Sequence, residues 1–170
     1  LFAMGSQTDH LIFQALAKLG VFCLVADPAK VTVDDVKALK PVGIILSGGP
    51  ASVHSEPPPF DAKIFDLGIP VLGICLGFQM WAKHIGIMVR SGHKQFSEHE
   101  AVIVNDDLLF ADCPNRMPVL QSHGDEVIAD GDMLNVIAMC DNVVAAASCL
   151  RLYGVQFHPE VTETKYGPVI

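Results

Sequence analysis

Short apolar runs that alternate with amphipathic segments constrain the fold of this chain more than any other feature of its sequence. In the first half, three runs are bounded by Gly, Pro or Asp and rich in aliphatic residues: residues 21–26, 43–46 and 70–74. Such runs are typical of buried parallel strands. The segments between them carry apolar residues at helical spacing: residues 9–19, 33–39 and 60–67. This alternation predicts an α/β fold, with an open, mostly parallel central sheet flanked by helices.

The second half of the chain has a different pattern. Short strand-like runs are separated by Asp, Asn and Gly turns: residues 101–104, 117–121, 135–138, 143–148 and 152–157. Runs joined by short turns favour antiparallel pairing, so we expect a small antiparallel extension of the sheet. The length of 170 residues, without repeats or a linker, predicts a single domain over residues 1–170. Because the first residue is Leu1, we expect a trimmed part of a longer chain or a separate subunit.

Composition and charge argue against several kinds of partner. The net charge is −8 without a cluster of Lys or Arg, whereas nucleic-acid backbones bind basic surfaces. No apolar run reaches the roughly 18–20 residues that span a bilayer, so we expect no membrane association. The five cysteines are irregularly spaced without a C-x-x-C pair, which predicts a reducing, cytoplasmic location. His93 and His99 are too far apart for a helical pair and lack a carboxylate cluster, so we expect no metal.

The segment around Cys75 carries the strongest indication of chemistry. An apolar strand runs into G-I-C-L-G over residues 73–77, and a helix-compatible stretch follows at residues 79–85. This is the nucleophile-elbow pattern with cysteine in place of serine. The glycines remove side chains that would clash in a strained turn, and the next helix N-terminus stabilises a thiolate. A structural cysteine buried in a glycine-packed turn would have the same sequence pattern. On this pattern alone, Cys75 can therefore be either a nucleophile or a structural residue.

A second pattern lies near the C-terminus. The strand-like run at residues 152–157 is followed by His158, Pro159 and Glu160. A thiol nucleophile needs a base within hydrogen-bond reach, and the base needs an acceptor on its other ring nitrogen. His158 and Glu160 could supply both from one rigid turn. Taken alone, a histidine at a strand end beside a solvated glutamate is the more common explanation.

A third pattern, S-G-G-P over residues 47–50, follows the apolar run at residues 43–46. Two consecutive glycines let backbone N–H groups approach a ligand closely, as an oxyanion hole requires. The alternative is an ordinary Gly-Gly-Pro turn. A P-loop is excluded because the Gly-Lys-Ser/Thr ending is absent.

Taken in their order along the chain (Gly-Gly-Pro, then Gly-x-Cys-x-Gly, then His-Pro-Glu near the end), the three patterns resemble those of the class I (triad-type) glutamine amidotransferases. The resemblance covers essentially the whole chain. Four segments are similar to the amidotransferase part of GMP synthetase in particular: G-S-Q at residues 5–7, L-S-G-G-P-A-S-V at 46–53, S-H-G-D at 122–125 and H-P-E-V-T at 158–162. The anthranilate-synthase branch shares Cys-Leu-Gly but usually differs after His-Pro-Glu and in the Ser-His-Gly-Asp segment.

The resemblance implies a role for each matching residue. Cys75 would be the nucleophile, His158 the general base and acid, and Glu160 the carboxylate that orients it. The backbone N–H groups of Gly49 and Leu76 would form the oxyanion hole. The glutamine substrate would be held by Gly48, by Gln79 and by a loop containing Ser122, His123 and Gly124. The implied reaction is thiolate attack on the side-chain amide, release of ammonia and hydrolysis of a glutamyl thioester, without a metal or cofactor in this domain.

The resemblance also implies a partner. The family passes ammonia to an ATP-pyrophosphatase (synthetase) domain or subunit, which adenylates XMP and aminates it to GMP. This chain lacks the Ser-Gly-Gly-x-Asp-Ser phosphate loop of that module, so ATP and Mg²⁺ are expected only in the partner. Two alternatives remain open. One is an amidotransferase subunit for another acceptor, of the anthranilate or aminodeoxychorismate type, and the other is a catalytically silent scaffold subunit.

Overall fold

The computed structural model describes residues 1–55, 57–129 and 131–170, except for the side chains of His93 and Lys94. The expectation for His93 therefore lies outside the described residues. The α-helices are α1 (Asp9–Lys18), α2 (Val33–Leu39) and α3 (Leu76–His84). The strands are β1 (Ile44–Leu46), β2 (Val71–Ile74), β3 (Val89–Ile103), β4 (Arg116–Val127), β5 (Asn135–Cys140), β6 (Val143–Cys149) and β7 (Leu152–Val155). Short 3₁₀ helices cover Ala62–Leu67, Leu108–Phe110 and Gly167–Val169.

The named strands form one sheet in the order β1-β2-β7-β6-β5-β3-β4. β2 pairs parallel with both β1 and β7, whereas the four remaining pairs are antiparallel. The α/β class is confirmed, but the prediction of a mostly parallel sheet is wrong. The reason is connectivity, because strands joined by short turns pair antiparallel and only those joined by longer crossovers can pair parallel. The turn at Asp141 and Asn142, both with positive φ, joins β5 to β6 in this way.

The long β3–β4 ladder was only partly predicted. The apolar runs at residues 101–104 and 117–121 lie within β3 and β4, but these strands extend over 15 and 12 residues. The additional residues are largely polar, so an apolar run does not reveal them. Residues 21–26 were expected as a strand, yet among them only Ala26 forms a bridge, parallel to Phe2. Much of this segment is exposed at the edge of the sheet, so it lacks the pairing partner that a buried strand would have.

Two apolar clusters cover the faces of the sheet. Side chains alternate along β2, so that Val71 lies in the cluster with Phe78 and Trp81 of α3, whereas Ile74 lies in the cluster with Ile12 of α1. The predicted helices at residues 9–19 and 33–39 are confirmed as α1 and α2, whereas the helix expected at residues 60–67 is a 3₁₀ helix that covers only Ala62–Leu67. Within the described part of the chain, none of the helices has the length and apolarity needed to cross a membrane.

Candidate functional site

Cys75 occupies the turn between β2 and α3, at the position that the elbow pattern predicts. Its backbone has φ 51° and ψ −104°, a conformation that side-chain-bearing residues rarely adopt. The flanking glycines are required by close backbone packing. A Cβ on Gly73 would lie 2.5 Å from the carbonyl carbon of Gly77, and one on Gly77 would lie 2.5 Å from the Leu46 carbonyl oxygen. The Gly-x-Cys-x-Gly spacing therefore lets the strand and the helix approach closely while holding Cys75 in a strained turn.

His158 and Glu160 lie beside this turn and pair with each other. The Nδ1 of His158 is 2.8 Å from Oε1 of Glu160, and the two side chains are only 11% and 2% exposed. The backbone of His158 is fixed to β4 because its N–H donates to the Leu120 carbonyl at 3.1 Å. The Thr164 hydroxyl donates to the His158 carbonyl at 2.6 Å and accepts from the Leu120 N–H at 3.1 Å. Hydrogen bonds thus hold the histidine backbone on both sides, and the contact between Nδ1 and Glu160 orients the ring.

The electrostatics of this pair favour a charged imidazole. Burial lowers the pKa of His158, but hydrogen bonds and charge interactions with Cys75 and Glu160 outweigh it and raise the pKa to about 10. Burial also opposes ionisation of Glu160, yet His158 and the Thr8 hydroxyl bring its pKa below the ordinary value. An imidazolium and a carboxylate therefore face each other at neutral pH. The charged imidazole is held next to the cysteine sulfur, at the position of a base that can exchange a proton with it.

Thr8 is a component of the site that the sequence analysis missed. Its Oγ1 donates to Oε1 of Glu160 at 2.6 Å, and the Ser6 hydroxyl lies 2.7 Å from the same Oγ1. Thr8 is the N-cap residue of α1, a position where a threonine side chain usually accepts from a backbone N–H of the first turn. Here it makes no such bond and is directed to Glu160 instead. In the sequence, Thr8 is a hydroxyl residue just before a helix. Such a position predicts an N-cap and gives no indication of a hydrogen bond to a distant carboxylate.

We expect Thr8→Val to destabilise the protein at neutral pH. A hydrogen bond to a charged group contributes roughly 1.5–3 kcal/mol, so the free energy of unfolding in urea should fall by about this amount, while Thr8→Ser should stay near wild type. Because Thr8 lowers the pKa of Glu160, its contribution is present above the ordinary carboxyl pKa and is lost as pH falls through the lowered value. A deficit that stayed constant through the acid range would refute this role for Thr8.

The glycine pair after β1 lies against the cysteine and the histidine. A Cβ on Gly48 would lie 2.8 Å from Cε1 of His158 and 3.5 Å from Cβ of Cys75. A Cβ on Gly49 would lie 2.9 Å from Cδ2 of Leu76. Leu76 is the first residue of α3, where a backbone N–H has no acceptor within its own helix. The structure thus brings the two residues predicted for the oxyanion hole together beside Cys75.

Ser122, His123 and Gly124 were expected in a loop, but they lie within β4, so this expectation is wrong. Ser122 and His123 pair with Phe96 and Gln95 of β3, and the register of the ladder shifts beyond His123. The Cys75 thiol donates to the Ser122 carbonyl with a sulfur–oxygen distance of 3.5 Å. His123 is buried and its Nδ1–H donates to the Asp125 carbonyl at 2.9 Å. Burial lowers the pKa of His123, and its buried Nε2 has no protein partner among the described residues.

Gln79 of α3 was predicted as a substrate contact, and the structure gives its amide an internal role. The side chain is 3% exposed. Its Nε2 donates to the Asp125 carbonyl at 2.9 Å and to Oε1 of Gln156 at 3.3 Å. These bonds tie α3 to the end of β4 and to the segment that leads from β7 to His158. The amide nitrogen of Gln79 is therefore engaged within the protein.

Comparison with known sequences gives consistent similarities. The family described as "Glutamine amidotransferase class-I" matches residues 1–170. A GMP synthase [glutamine-hydrolyzing] of Borreliella burgdorferi (strain N40) is 39% identical, over 98% of this chain and 33% of the relative. The protein of the same description from Campylobacter lari is 40% identical, over 98% of this chain and 33% of the relative. The chain thus spans about a third of the length of the curated relatives it matches.

Two solved structures share the fold. The crystal structure of a putative GMP synthase subunit from Thermoplasma acidophilum has a TM-score of 0.86 and 27% identity. The match covers 98% of this chain and 85% of that one. A glutamine amidotransferase from Thermotoga maritima has a TM-score of 0.75 and covers 92% of this chain and 74% of that one. At 22% identity, this second likeness concerns the fold alone.

Proposed function

Because the chain belongs to the class-I glutamine amidotransferase family, we propose that it hydrolyses glutamine to glutamate and ammonia with Cys75 as the nucleophile. One observation carries the proposal. A cysteine in a strained strand-to-helix turn faces an imidazole whose other nitrogen is paired with a buried carboxylate. This is the arrangement that an activated thiol requires: a base next to the sulfur, and an orienting carboxylate on the other nitrogen of the base. A protein that served only as a scaffold would have no need of it.

The first half-reaction forms a thioester and releases ammonia. The Cys75 sulfur attacks the side-chain carbonyl carbon of glutamine, and the electron pair of the C=O bond moves to oxygen. The backbone N–H groups of Gly49 and Leu76 stabilise this oxyanion, and one such donor is worth roughly 3–4 kcal/mol. The imidazolium of His158 gives its proton to the amide nitrogen. The C–N bond then breaks, ammonia leaves and a glutamyl thioester remains on Cys75.

The second half-reaction hydrolyses the thioester. His158 is now neutral and takes a proton from a water molecule that attacks the thioester carbonyl. The carbon–sulfur bond breaks, so that the thiolate of Cys75 and the imidazolium of His158 are restored and glutamate leaves. Glu160 keeps its charge throughout and holds the ring through Nδ1, so that Nε2 is the nitrogen that exchanges protons. Thr8 assists by holding the Glu160 carboxylate in place.

The amino-acid end of glutamine is assigned to the groups around the turn. Gly48 lies against the cysteine and the histidine, where its lack of a side chain lets the backbone approach them closely, and the Ser122 carbonyl lies 3.5 Å from the Cys75 sulfur. The buried Nε2 of His123 lacks a partner among the described residues, which supports a polar ligand beside β4. A contact between Gln79 and the substrate would use the Gln79 oxygen, since the amide nitrogen is engaged.

The acceptor of the ammonia is assigned from sequence likeness. We propose that a synthetase module with ATP-pyrophosphatase chemistry receives it and aminates XMP to GMP, and that ATP and Mg²⁺ are bound there. The support is the similarity of essentially the whole chain to proteins described as GMP synthase. Residues 1–170 would act as one amidotransferase domain in this assembly. A cytoplasmic, reducing location belongs to the same proposal, and the five cysteines are all free thiols.

An electrophilic glutamine analogue tests the proposed nucleophile and substrate together. We expect a single adduct on Cys75, located by peptide mass spectrometry, and suppression of its formation by free glutamine. The other four cysteines serve as internal controls for unspecific alkylation. If Cys75 stays unmodified in the presence of the synthetase and its nucleotides, or if labelling is spread over all five cysteines regardless of glutamine, the catalytic proposal fails.

A further inference from the structure

Three potential metal ligands meet away from the cysteine turn. His99, Cys140 and Asp141 offer a nitrogen, a sulfur and a carboxylate oxygen within 4.8 Å of one another. We propose that they form a binding site for a borderline divalent cation such as Zn²⁺, with a fourth position open to a further ligand. Zinc accepts imidazole, thiolate and carboxylate together, usually with four ligands in total.

The fold and not the local sequence assembles this site. His99 lies on β3, Cys140 is the last residue of β5, and β3 pairs antiparallel with β5 just beyond His99. Asp141 opens the turn to β6 with a φ of 47°. No metal was expected because His93 and His99 lack helical spacing and no carboxylate cluster accompanies them in the sequence. Spacing along the chain does not reveal ligands that come together only through strand pairing.

The hydrogen bonds of His99 already resemble those of a metal-bound histidine. Its Nδ1 lies 2.6 Å from Oδ2 of Asp141, and its Nε2 lies 2.9 Å from the Ser97 hydroxyl. A ligating histidine usually donates its second N–H to a nearby oxygen, which fixes the ring. When a cation replaces the proton at Nδ1, Ser97 can accept from Nε2–H, since a hydroxyl both donates and accepts. The ring therefore does not need to turn for the cation to bind.

A second, independent observation points into the same place. Gln121 of β4 is fully buried, and neither its Oε1 nor its Nε2 has a nitrogen or oxygen hydrogen-bond partner among the described residues. Its side chain lies beside the Cys140 thiol. A buried amide without a hydrogen-bond partner is energetically unfavourable, so the Gln121 side chain indicates a bound ligand or water at this position. The Gln121 oxygen can complete a four-ligand set directly or through a bound water.

The exposure of the three ligands gives a cation a route into the site. Cys140 is 1% exposed and His99 only partly exposed, whereas the Asp141 side chain is 62% exposed. The cation can thus enter from the Asp141 side and displace the thiol proton. Ligand atoms around zinc lie roughly 3.3–3.8 Å apart when its bonds are about 2.0–2.3 Å long. Asp141 sits in an exposed turn, so a small shift of its carboxylate can bring the set to that spacing. Binding would then fasten β3 to the β5–β6 turn.

Cobalt titration is the direct test, because Co²⁺ replaces zinc and reports a sulfur ligand by its thiolate-to-metal absorption band. The titration is made in a Cys75→Ala background, so that the cysteine–histidine pair of the proposed active site does not contribute. We expect one equivalent of Co²⁺ with this band, which Zn²⁺ displaces. At a hundredfold excess over Kd, Zn²⁺ should raise Tm by roughly 5 °C or more.

Two conservative variants distinguish this site from incidental binding. We expect His99→Gln and Asp141→Asn each to weaken binding at least about tenfold and to reduce the Tm increase. Asparagine tolerates the positive φ of residue 141, so Asp141→Asn should unfold like its parent without metal. His54→Gln, at an exposed histidine outside the cluster, is the matched control and should bind as the parent does. Absence of the sulfur band, or unchanged affinity in both variants, overturns the proposal.

Discussion

Cys75→Ala is expected to abolish glutamine hydrolysis while leaving the fold unchanged. Alanine keeps the Cβ, so the backbone strain at φ 51° is the same in both proteins. The substitution removes Sγ, its 3.5 Å hydrogen bond to the Ser122 carbonyl and its interaction with His158. Without the sulfur no thioester can form, and residual hydrolysis by the remaining groups should be at least about 10⁴-fold slower. Release of glutamate, measured with the synthetase, XMP and ATP present, checks this expectation.

The same variant distinguishes an amidotransferase from a scaffold. With added ammonium salt, Cys75→Ala should support formation of GMP by the synthetase, because only the source of ammonia has been removed. Cys23→Ala is the matched control, since Cys23 lies in the edge segment away from β2 and should leave both activities unchanged. A Cys75→Ala protein that still supports full glutamine-dependent synthesis would contradict the nucleophile assignment. Activity with chorismate as acceptor in place of XMP would retain the nucleophile but reassign the partner.

The proposed active site was predictable where chemistry and backbone geometry demand the same residues locally. Close backbone contacts require glycine on both sides of Cys75. The turn between strand and helix could therefore be predicted from the G-I-C-L-G segment. The His158–Glu160 pair lies in one short turn, so its spacing was equally visible. The combination of separate motifs then indicated the family, which the match over residues 1–170 shows.

The remaining features depend on contacts between distant segments. The sheet is mostly antiparallel because short turns join β5 to β6 and β6 to β7, and the length of the β3–β4 ladder was missed because these strands extend through polar residues that show no apolar run. Thr8 reaches Glu160 only because α1 begins next to the His158 turn, although 152 positions separate them in the chain. His99 and Cys140 meet through the pairing of β3 with β5. Local propensity carries no information on such pairs, since tertiary packing alone decides which strand ends become neighbours.

Gly48→Ala is expected to reduce glutamine hydrolysis by about a hundredfold or more with only a moderate loss of stability. The new Cβ would lie 2.8 Å from Cε1 of His158, closer than real side chains approach, so the imidazole must move. A displacement of about 1 Å in a catalytic group can cost about 10²-fold in rate. Overpacking of this kind destabilises by roughly 1–3 kcal/mol. Steady-state kinetics and urea denaturation of the same preparation measure both effects.

Gly43→Ala provides the matched control for this prediction. It introduces the same methyl group just before β1, but there the Cβ would meet only the Pro70 carbonyl oxygen at 3.7 Å, an ordinary contact. We therefore expect near-wild-type hydrolysis from Gly43→Ala and a selective loss from Gly48→Ala. If the loss in Gly48→Ala reflected displacement of His158, kcat should fall and the pH dependence of the rate should change, because the contacts with Cys75 and Glu160 set the pKa of His158. A rise in KM alone would instead locate the effect in glutamine binding, and unchanged kinetics would contradict the close approach of Gly48 to the imidazole.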